Sequence, residues 1–530
     1  MSEWFLTASE RGNPATRIDA RHPGDQAWSD GNLARPLIHG ATYFAELFER
    51  IEATGPGDLI CVTDWQGDPD QRLTDDPDSE VAEVFGRALD RGADVRALVW
   101  RSHSGLLGYA TEKHHRLGEL LQERGADVQL DMRVRAGGAH HQKFLVIRHA
   151  DDPSRDIAFV GGIDLCHGRR DDAAHEGDPQ ADPIAAEYGD RPAWHDVQVA
   201  LQGPVVHDVE TVFRERWEDA TPLTRHPLRH LQDRLRGVHD ERRPLPPQLP
   251  PPPREAADHR VQLLRTYPKL GPGWSYDFAP DGERSVARGY SKAVQRARSL
   301  IYLEDQFLWG QQMSDVLVEA LEQNPDLRLI GVLPQFPDQD GWFARDPQVL
   351  GRLRALRRVY AAAPDRVAFY GIENHAGRPV YVHAKVCVLD DWWASIGSDN
   401  FCRRSWTNDS ELSAVVIDPE GDDHSAYGRK LRLTLAAEHL DVAVEEAPVG
   451  HQDMFEAFAR TADALEEWHR AGRRGPRPPG RLRRLPEPTL PLFRQALAAP
   501  WYRYLHDPDG RPRVLRRRRV FRGDIPVIIR

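Results

Sequence analysis

The chain is written twice over, and this internal repeat restricts the fold more than any other feature of its 530 residues. In the first half a helical pattern, "LIHGATYFAELFERIEAT", precedes the strand-like runs "DLICVTDW" and "ADVRALVW" and an apolar run around His141. In the second half "GERSVARGYSKAVQRARS" precedes "LIYLEDQF", "LRLIGVLP" and an apolar run around His383. With Ile60 set against Ile301, the two histidines follow after 81 and 82 residues. Register held over so long a stretch is the mark of a duplicated unit. Alternating helices and apolar strands imply layered α/β packing. The expected fold class is therefore α/β, with two similar lobes. Between them "RRPLPPQLPPPPRE" (Arg242–Glu255) is a stiff segment that can continue neither helix nor sheet. The expected division is an N-terminal lobe over 1–235, a Pro-rich linker over 236–258, a C-terminal lobe over 259–445 and an Arg-rich extension over 446–530.

Lysine usage then picks out a site. Only six of the 70 basic residues are lysine, yet two of the six stand in a His-x-Lys triplet: His141-Gln142-Lys143 and His383-Ala384-Lys385. Composition alone predicts roughly a quarter of one such triplet. Both lie in β-branched apolar runs, and on a strand residues two apart share a face, so each histidine and its lysine point the same way. A lysine ammonium is a compact charge suited to one anionic oxygen, which suggests a phosphoryl group. Each triplet is followed by a strand ending in a glycine element, "IAFVGGIDLC" with Gly162 and Asp164, and "WASIGSDNFC" with Gly397, Ser398 and Asn400. Glycine there lets a phosphate approach backbone amides. A carboxylate comes next in each half, Asp196 in "WHDVQVAL" and Glu411 in "NDSELSAVVI".

The remaining composition limits the surroundings. Hydrophobic residues at 40% and charged residues at 29% describe a soluble globular protein. The start of the chain lacks a secretory pattern, and no run approaches the eighteen or so apolar residues of a membrane span. Cys61, Cys166, Cys387 and Cys402 fit reduced core thiols and lack zinc spacing, so the cytoplasm is the expected address. Residues 471–530 hold sixteen arginines against one glutamate and three aspartates, a local +12 that leaves −24 on the rest of a chain totalling −12. An acidic body argues against nucleic acid as partner. The run Arg513–Arg522 is a candidate for anionic headgroups, and the aromatics Trp342, Phe343, Trp392 and Trp393 for lipid contact.

Together these motifs resemble the phospholipase D superfamily, whose signature is His-x-Lys-x4-Asp, present twice. The second copy matches fully with His383, Lys385 and Asp390, followed by Gly397, Ser398 and Asn400. The first has His141 and Lys143, and "FVGGIDLC" and "WHDV" are similar to the eukaryotic-type form. The likeness runs over roughly residues 30–420 and departs at two points. Arg148 stands where the first Asp belongs, leaving Asp151, Asp152 or Asp156 to serve if a carboxylate is needed, and His167 stands where relatives carry an acid.

The resemblance implies two α/β/α sandwich lobes with one active site between them, acting without metal or other cofactor. It implies His141 as nucleophile, forming a phosphohistidine, and His383 as acid and then base. Lys143, Lys385 and Asn400 would hold the phosphoryl oxygens, with Gly162, Asp164, Gly397 and Ser398 around them and Asp390 counted among the catalytic residues in a supporting part. Asp196 and Glu411 are each expected to orient the histidine of their own half. The implied substrate is a phospholipid at a membrane surface, with water or an alcohol as acceptor and the protein a monomer. Two alternatives are phosphatidyl transfer of the cardiolipin synthase type, and a non-hydrolytic binder of anionic lipid whose first motif is impaired at Arg148. Nuclease action at the same histidines is the third.

Overall fold

The structure is a computed structural model that describes residues 3–103, 111–224, 242–418 and 427–512. Its first lobe is a seven-stranded sheet. The strands are β1 (Ser29–Ile38), β2 (Leu59–Asp64), β3 (Asp94–Trp100), β4 (Asp127–Asp131), β5 (Phe144–Arg148), β6 (Ile157–Gly161) and β8 (Val197–Gln202), with the short β7 (Ala193–His195) set apart. They lie in the order β4-β3-β2-β5-β6-β8-β1, parallel across β4, β3 and β2 and antiparallel thereafter.

The second lobe uses β9 (His259–Tyr267), β11 (Leu300–Glu304), β12 (Arg328–Val332), β13 (Val367–Glu373), β15 (Val386–Leu389), β16 (Trp393–Gly397) and β17 (Glu411–Ile417). Their order, β13-β12-β11-β15-β16-β17-β9, repeats the first with the same parallel and antiparallel pairings. Short strands trim the edges: β10 (Glu283–Arg284) on β9, and β14 (Pro379–Val382) and β18 (Leu482–Arg484) on β13. β1 pairs with β9 and joins the two sheets.

Strand residues alternate between two cores, as a sheet covered on both faces requires. Ile60 and Val62 turn outward to α2 (Gly40–Glu52), α3 (Val81–Asp90) and α4 (Thr111–Glu123). Ile301 and Leu303 do the same toward α6 (Ser285–Val294), α7 (Gln311–Gln323) and α8 (Trp342–Ala362), and Trp406 of the short α9 (Arg403–Thr407) joins them. Leu59, Cys61, Leu300 and Tyr302 face one shared inner core. That core is filled by α5 (Val205–Glu218), α10 (Tyr427–Leu440) and α11 (His451–Arg470). The two lobes are thus sandwiches pressed together, and the expected fold class stands.

The packing redraws two of the expected domain limits. Residues before β1, including α1 (Ala8–Arg11), pack on the second lobe: Phe5 and Leu6 join its outer core, and Arg11 meets Glu283 at 3.1 Å. Met454, Phe458 and Ala462 of α11 sit in the inner core, so the stretch after 445 is built into the molecule. The proline segment lies on the first lobe, where Pro246 and Pro250 carbonyls accept from Arg214 and Arg148. Four cysteines are buried and unpaired. No helix of the described residues is long and apolar enough to cross a membrane. The Arg513–Arg522 run lies outside the described residues.

Candidate active site

Backbone pairing between the lobes brings the two motifs together. The His141 N–H donates to Ser410 O at 2.9 Å, and the His383 N–H donates to His195 O at 2.8 Å. β14 runs parallel to β7 with Val382 opposite His195, and His140 bridges to Ser410 in the same sense. Ser410 and His195 each come one residue before the carboxylate of their lobe. Each histidine therefore meets the carboxylate of the opposite lobe. His141 Nδ1 lies 2.9 and 3.1 Å from the Glu411 oxygens, and His383 Nδ1 lies 2.6 Å from Asp196 Oδ2. The own-half pairing expected above is wrong, because the segment leading into each histidine hydrogen-bonds across the interface and carries the ring with it.

The lysines fold back along their strands. Lys143 Nζ donates to His141 O at 2.9 Å, and Lys385 Nζ donates to His383 O. Each also touches the residue five positions after its alignment point. Lys143 lies over the Trp65 ring, 5.4 Å from its centroid, while Lys385 donates to Gln306 Oε1 at 3.2 Å. Lys143 further pairs with Asp164 at 3.4 Å. Ser398 Oγ donates to Glu411 at 2.5 Å, and buried Asn400 leaves Oδ1 without a hydrogen-bond partner. Gly162 is needed for close approach, since a Cβ there would sit 2.6 Å from Asp196 Oδ1; one at Gly397 would strike the Ser413 hydroxyl.

Two carboxylates absent from the expectation anchor the glycine elements. Asp64, ending β2, accepts from the Leu165 N–H at 2.9 Å, and Asp305, after β11, accepts from the Phe401 N–H at 2.7 Å. Both stand four residues past the aligned isoleucines, so register alone could have found them. Trp194 was missed too: its ring lies 5.1 Å from His383, with the Arg169 guanidinium 3.9 Å from its centroid. No spacing rule marks it.

Burial sets the charges. It pushes Glu411 up to about 7, against the Ser398 hydrogen bond and Lys143. Burial, with the Lys385 ammonium, brings His383 down to about 3 against the pull of Asp196. Burial and both ammoniums hold His141 well below the usual imidazole range. Burial lowers Lys385 to about 8. Asp164 is held at about 2 despite burial, by Lys143 and by a hydrogen bond with Asp64, whose own carboxyl burial and Asp164 push well up. Lys385 acts on His141, and Asp164 acts on His383, so the four motif side chains share one field.

Asp390 is not brought to this site. It follows β15 at the far end from His383, where its carboxylate accepts the Arg298, Ser299 and Leu300 N–H groups at 2.7–2.8 Å. Its role is to cap backbone, which corrects its assignment as catalytic. Arg148 occupies the equivalent end of β5, buried between Asp156 at 2.7 Å and Glu210 at 2.5 Å. It touches neither motif residue, so nothing in its position impairs the first motif. His167 stands 3.4 Å from Asp70 and 3.7 Å from Asp68. Behind Asp196, His39, His175, His195 and Glu438 each offer a metal-ligating atom within 4.8 Å of the others, as do His195, Glu304 and His439. These groups already bind one another, His195 to Glu304 at 2.6 Å and His39 to Glu438 at 2.7 Å.

Two facing His/Lys pairs, each ring fixed at Nδ1 and open at Nε2, form the candidate site. The chain belongs to the phospholipase D superfamily. The family model described as Phospholipase D matches residues 55–318. Phospholipase D alpha 1 of Vigna unguiculata is 25% identical, over 76% of this chain and 65% of that protein. Phospholipase D alpha 1 of Arabidopsis thaliana is 24% identical, over 77% and 66%. The chain thus spans just under two thirds of these relatives. The fold also matches the crystal structure of phosphatidylserine synthase from Haemophilus influenzae Rd KW20, with a TM-score of 0.51 and 12% identity over 83% of this chain and 93% of that one.

Proposed function

We propose that this protein is a phosphodiesterase of the phospholipase D type, converting a phospholipid to phosphatidate and a free headgroup alcohol through a phosphohistidine at His141. The observation that carries the reading is the crossed pairing of His141 with Glu411 and His383 with Asp196. His141 Nε2 attacks phosphorus as the P–O bond to the headgroup breaks, and His383 gives its Nε2 proton to the leaving oxygen. His383 then takes a proton from water, the P–O bond to that water forms, and the P–N bond to His141 breaks. A primary alcohol in place of water gives transfer. Lys143, Lys385 and Asn400 hold the non-bridging oxygens.

His141 suits the nucleophile because its ring is the more open, 16% exposed against 7% for His383. His383 must carry a proton to act as acid. Burial depresses it first and the Lys385 ammonium second; a phosphodiester anion lying against that ammonium offsets the second, so substrate binding and proton uptake belong together.

The test is lipid turnover in mixed phospholipid vesicles containing a primary alcohol. Wild type is expected to form phosphatidate and phosphatidylalcohol, with His141→Ala and His383→Ala each losing about a thousandfold or more. Lipid left unconsumed by wild type, or consumed by either variant, removes the reading.

A further inference from the structure

We propose that the face formed by α12 (Leu492–Trp501), the turn after it and the start of α8 is the surface on which this protein sits on a phospholipid bilayer. The proposal rests on the lipid reading above and names the place where the protein meets its substrate phase. Of eleven large apolar side chains exposed among the described residues, seven lie on this one face. Phe493, Leu497 and Trp501 recur every four residues and form a stripe on one side of α12, 67%, 55% and 45% exposed. The neighbouring stripe, Ala498 and Tyr502, is buried against Trp309, Leu350 and Leu353, so α12 is already docked and the outer stripe is left over. Trp342 and Phe343 stack on each other at the start of α8, and Phe343 meets Trp501 edge-on at 5.5 Å. The two helices thereby present a single aromatic surface.

The charge on the α12 side of the patch favours a lipid surface over a protein. From Leu492 to His506 there are two arginines and no acidic residue. Arg494 is tied to Asp346 at 2.6 Å, while Arg503 is exposed beside Tyr504, 5.5 Å from its ring centroid. Tryptophan, tyrosine and phenylalanine rimmed by arginine are the mixture that settles at the boundary between headgroups and acyl chains. An apolar surface of this kind on a folded protein marks an interaction site. Its position fits the chemistry as well. Tyr504 O approaches Gly137, and Arg404 links Gly137 O to Asp409, in the segment that runs into His141. A bilayer seated here would lie near the segment that runs into that histidine.

The experiment uses the full chain with Phe493→Glu and Trp501→Glu combined, both at exposed positions. Sedimentation with vesicles of phosphatidylcholine and phosphatidylglycerol is compared with turnover of a short-chain phospholipid dissolved as monomers. Vesicle partitioning is expected to fall about tenfold or more, with the melting temperature and the rate on monomeric lipid unchanged. Unchanged partitioning of the variant overturns the proposal, as does a wild-type dimer that the substitutions split without any vesicle binding. Wild type that binds vesicles but turns over neither lipid would support the docking surface and remove the reaction, so the two readings fail separately.

Discussion

His141 and Glu411 show how far one buried pair sets the working range of the site. In the proposed reaction Glu411 must be ionised to hold the His141 Nδ1–H and strengthen its Nε2 as a nucleophile. Because burial raises Glu411 to about 7, that support is lost as pH falls through 7. Lys385 is charged only below about 8, so the clamp on the phosphoryl oxygens weakens as pH rises through 8. In the pH profile of kcat/KM, which reports the free protein, the proton that His383 must take up adds a fall with rising pH; on top of it Glu411 is expected to bend the profile at about 7, its acid limb, and Lys385 to bend it again at about 8. Ser398→Ala removes a 2.5 Å hydrogen bond that opposes the rise in Glu411, so its acid limb should move to higher pH. An acid limb left in place by that substitution would show that Glu411 does not set it. At this scale much was legible. Scarce lysine and the two-residue repeat of a strand pointed to His141, Lys143, His383 and Lys385 without any structure. Trp194 and Arg169 were not legible, since neither a ring on the three-residue β7 nor a guanidinium reaching in from a loop leaves a periodic trace.

Strand ends explain why the motif misled at Asp390. A strand advances about 3.3 Å per residue, so a residue five beyond Lys385 lies roughly 16 Å further along. Spacing in sequence tied Asp390 to the histidine, whereas its carboxylate holds the start of β11 to the end of β15. Asp390→Ala is therefore expected to cost about 1–3 kcal/mol of stability by leaving three N–H groups unmet, with the rate per folded molecule kept. Urea denaturation and kcat measured together decide this, and a large loss of kcat without loss of stability would contradict it. Arg148 is the converse case. Arg148→Asp recreates the motif letter but sets a third carboxylate beside Asp156 and Glu210, with an expected cost of about 3–5 kcal/mol and no gain in rate. A variant that melts as wild type does would show that these charges are not confined there.

The whole molecule is a duplication whose halves cannot be assigned roles one at a time. Matching distances to His141 and His383 made the two lobes legible, and the repeated strand order confirms them. The exchange of carboxylates across the interface was not legible. It depends on β14 meeting β7, which lie 187 residues apart at Val382 and His195 and share no local pattern. Imidazole 15N shifts test the exchange directly: Glu411→Gln should move the His141 Nδ1 signal and spare His383, while Asp196→Asn should do the reverse. The opposite response would restore the own-lobe pairing.

The phosphohistidine itself is best tested by rapid quench into denaturant at alkaline pH, where a P–N bond survives, with a phospholipid analogue carrying an activated leaving group and a labelled phosphorus, followed by peptide mass spectrometry. Such a leaving group needs no acid, so His383→Asn should accumulate label on His141, and His141→Asn should carry none. Label on His383, or steady turnover by His141→Asn, would contradict the account.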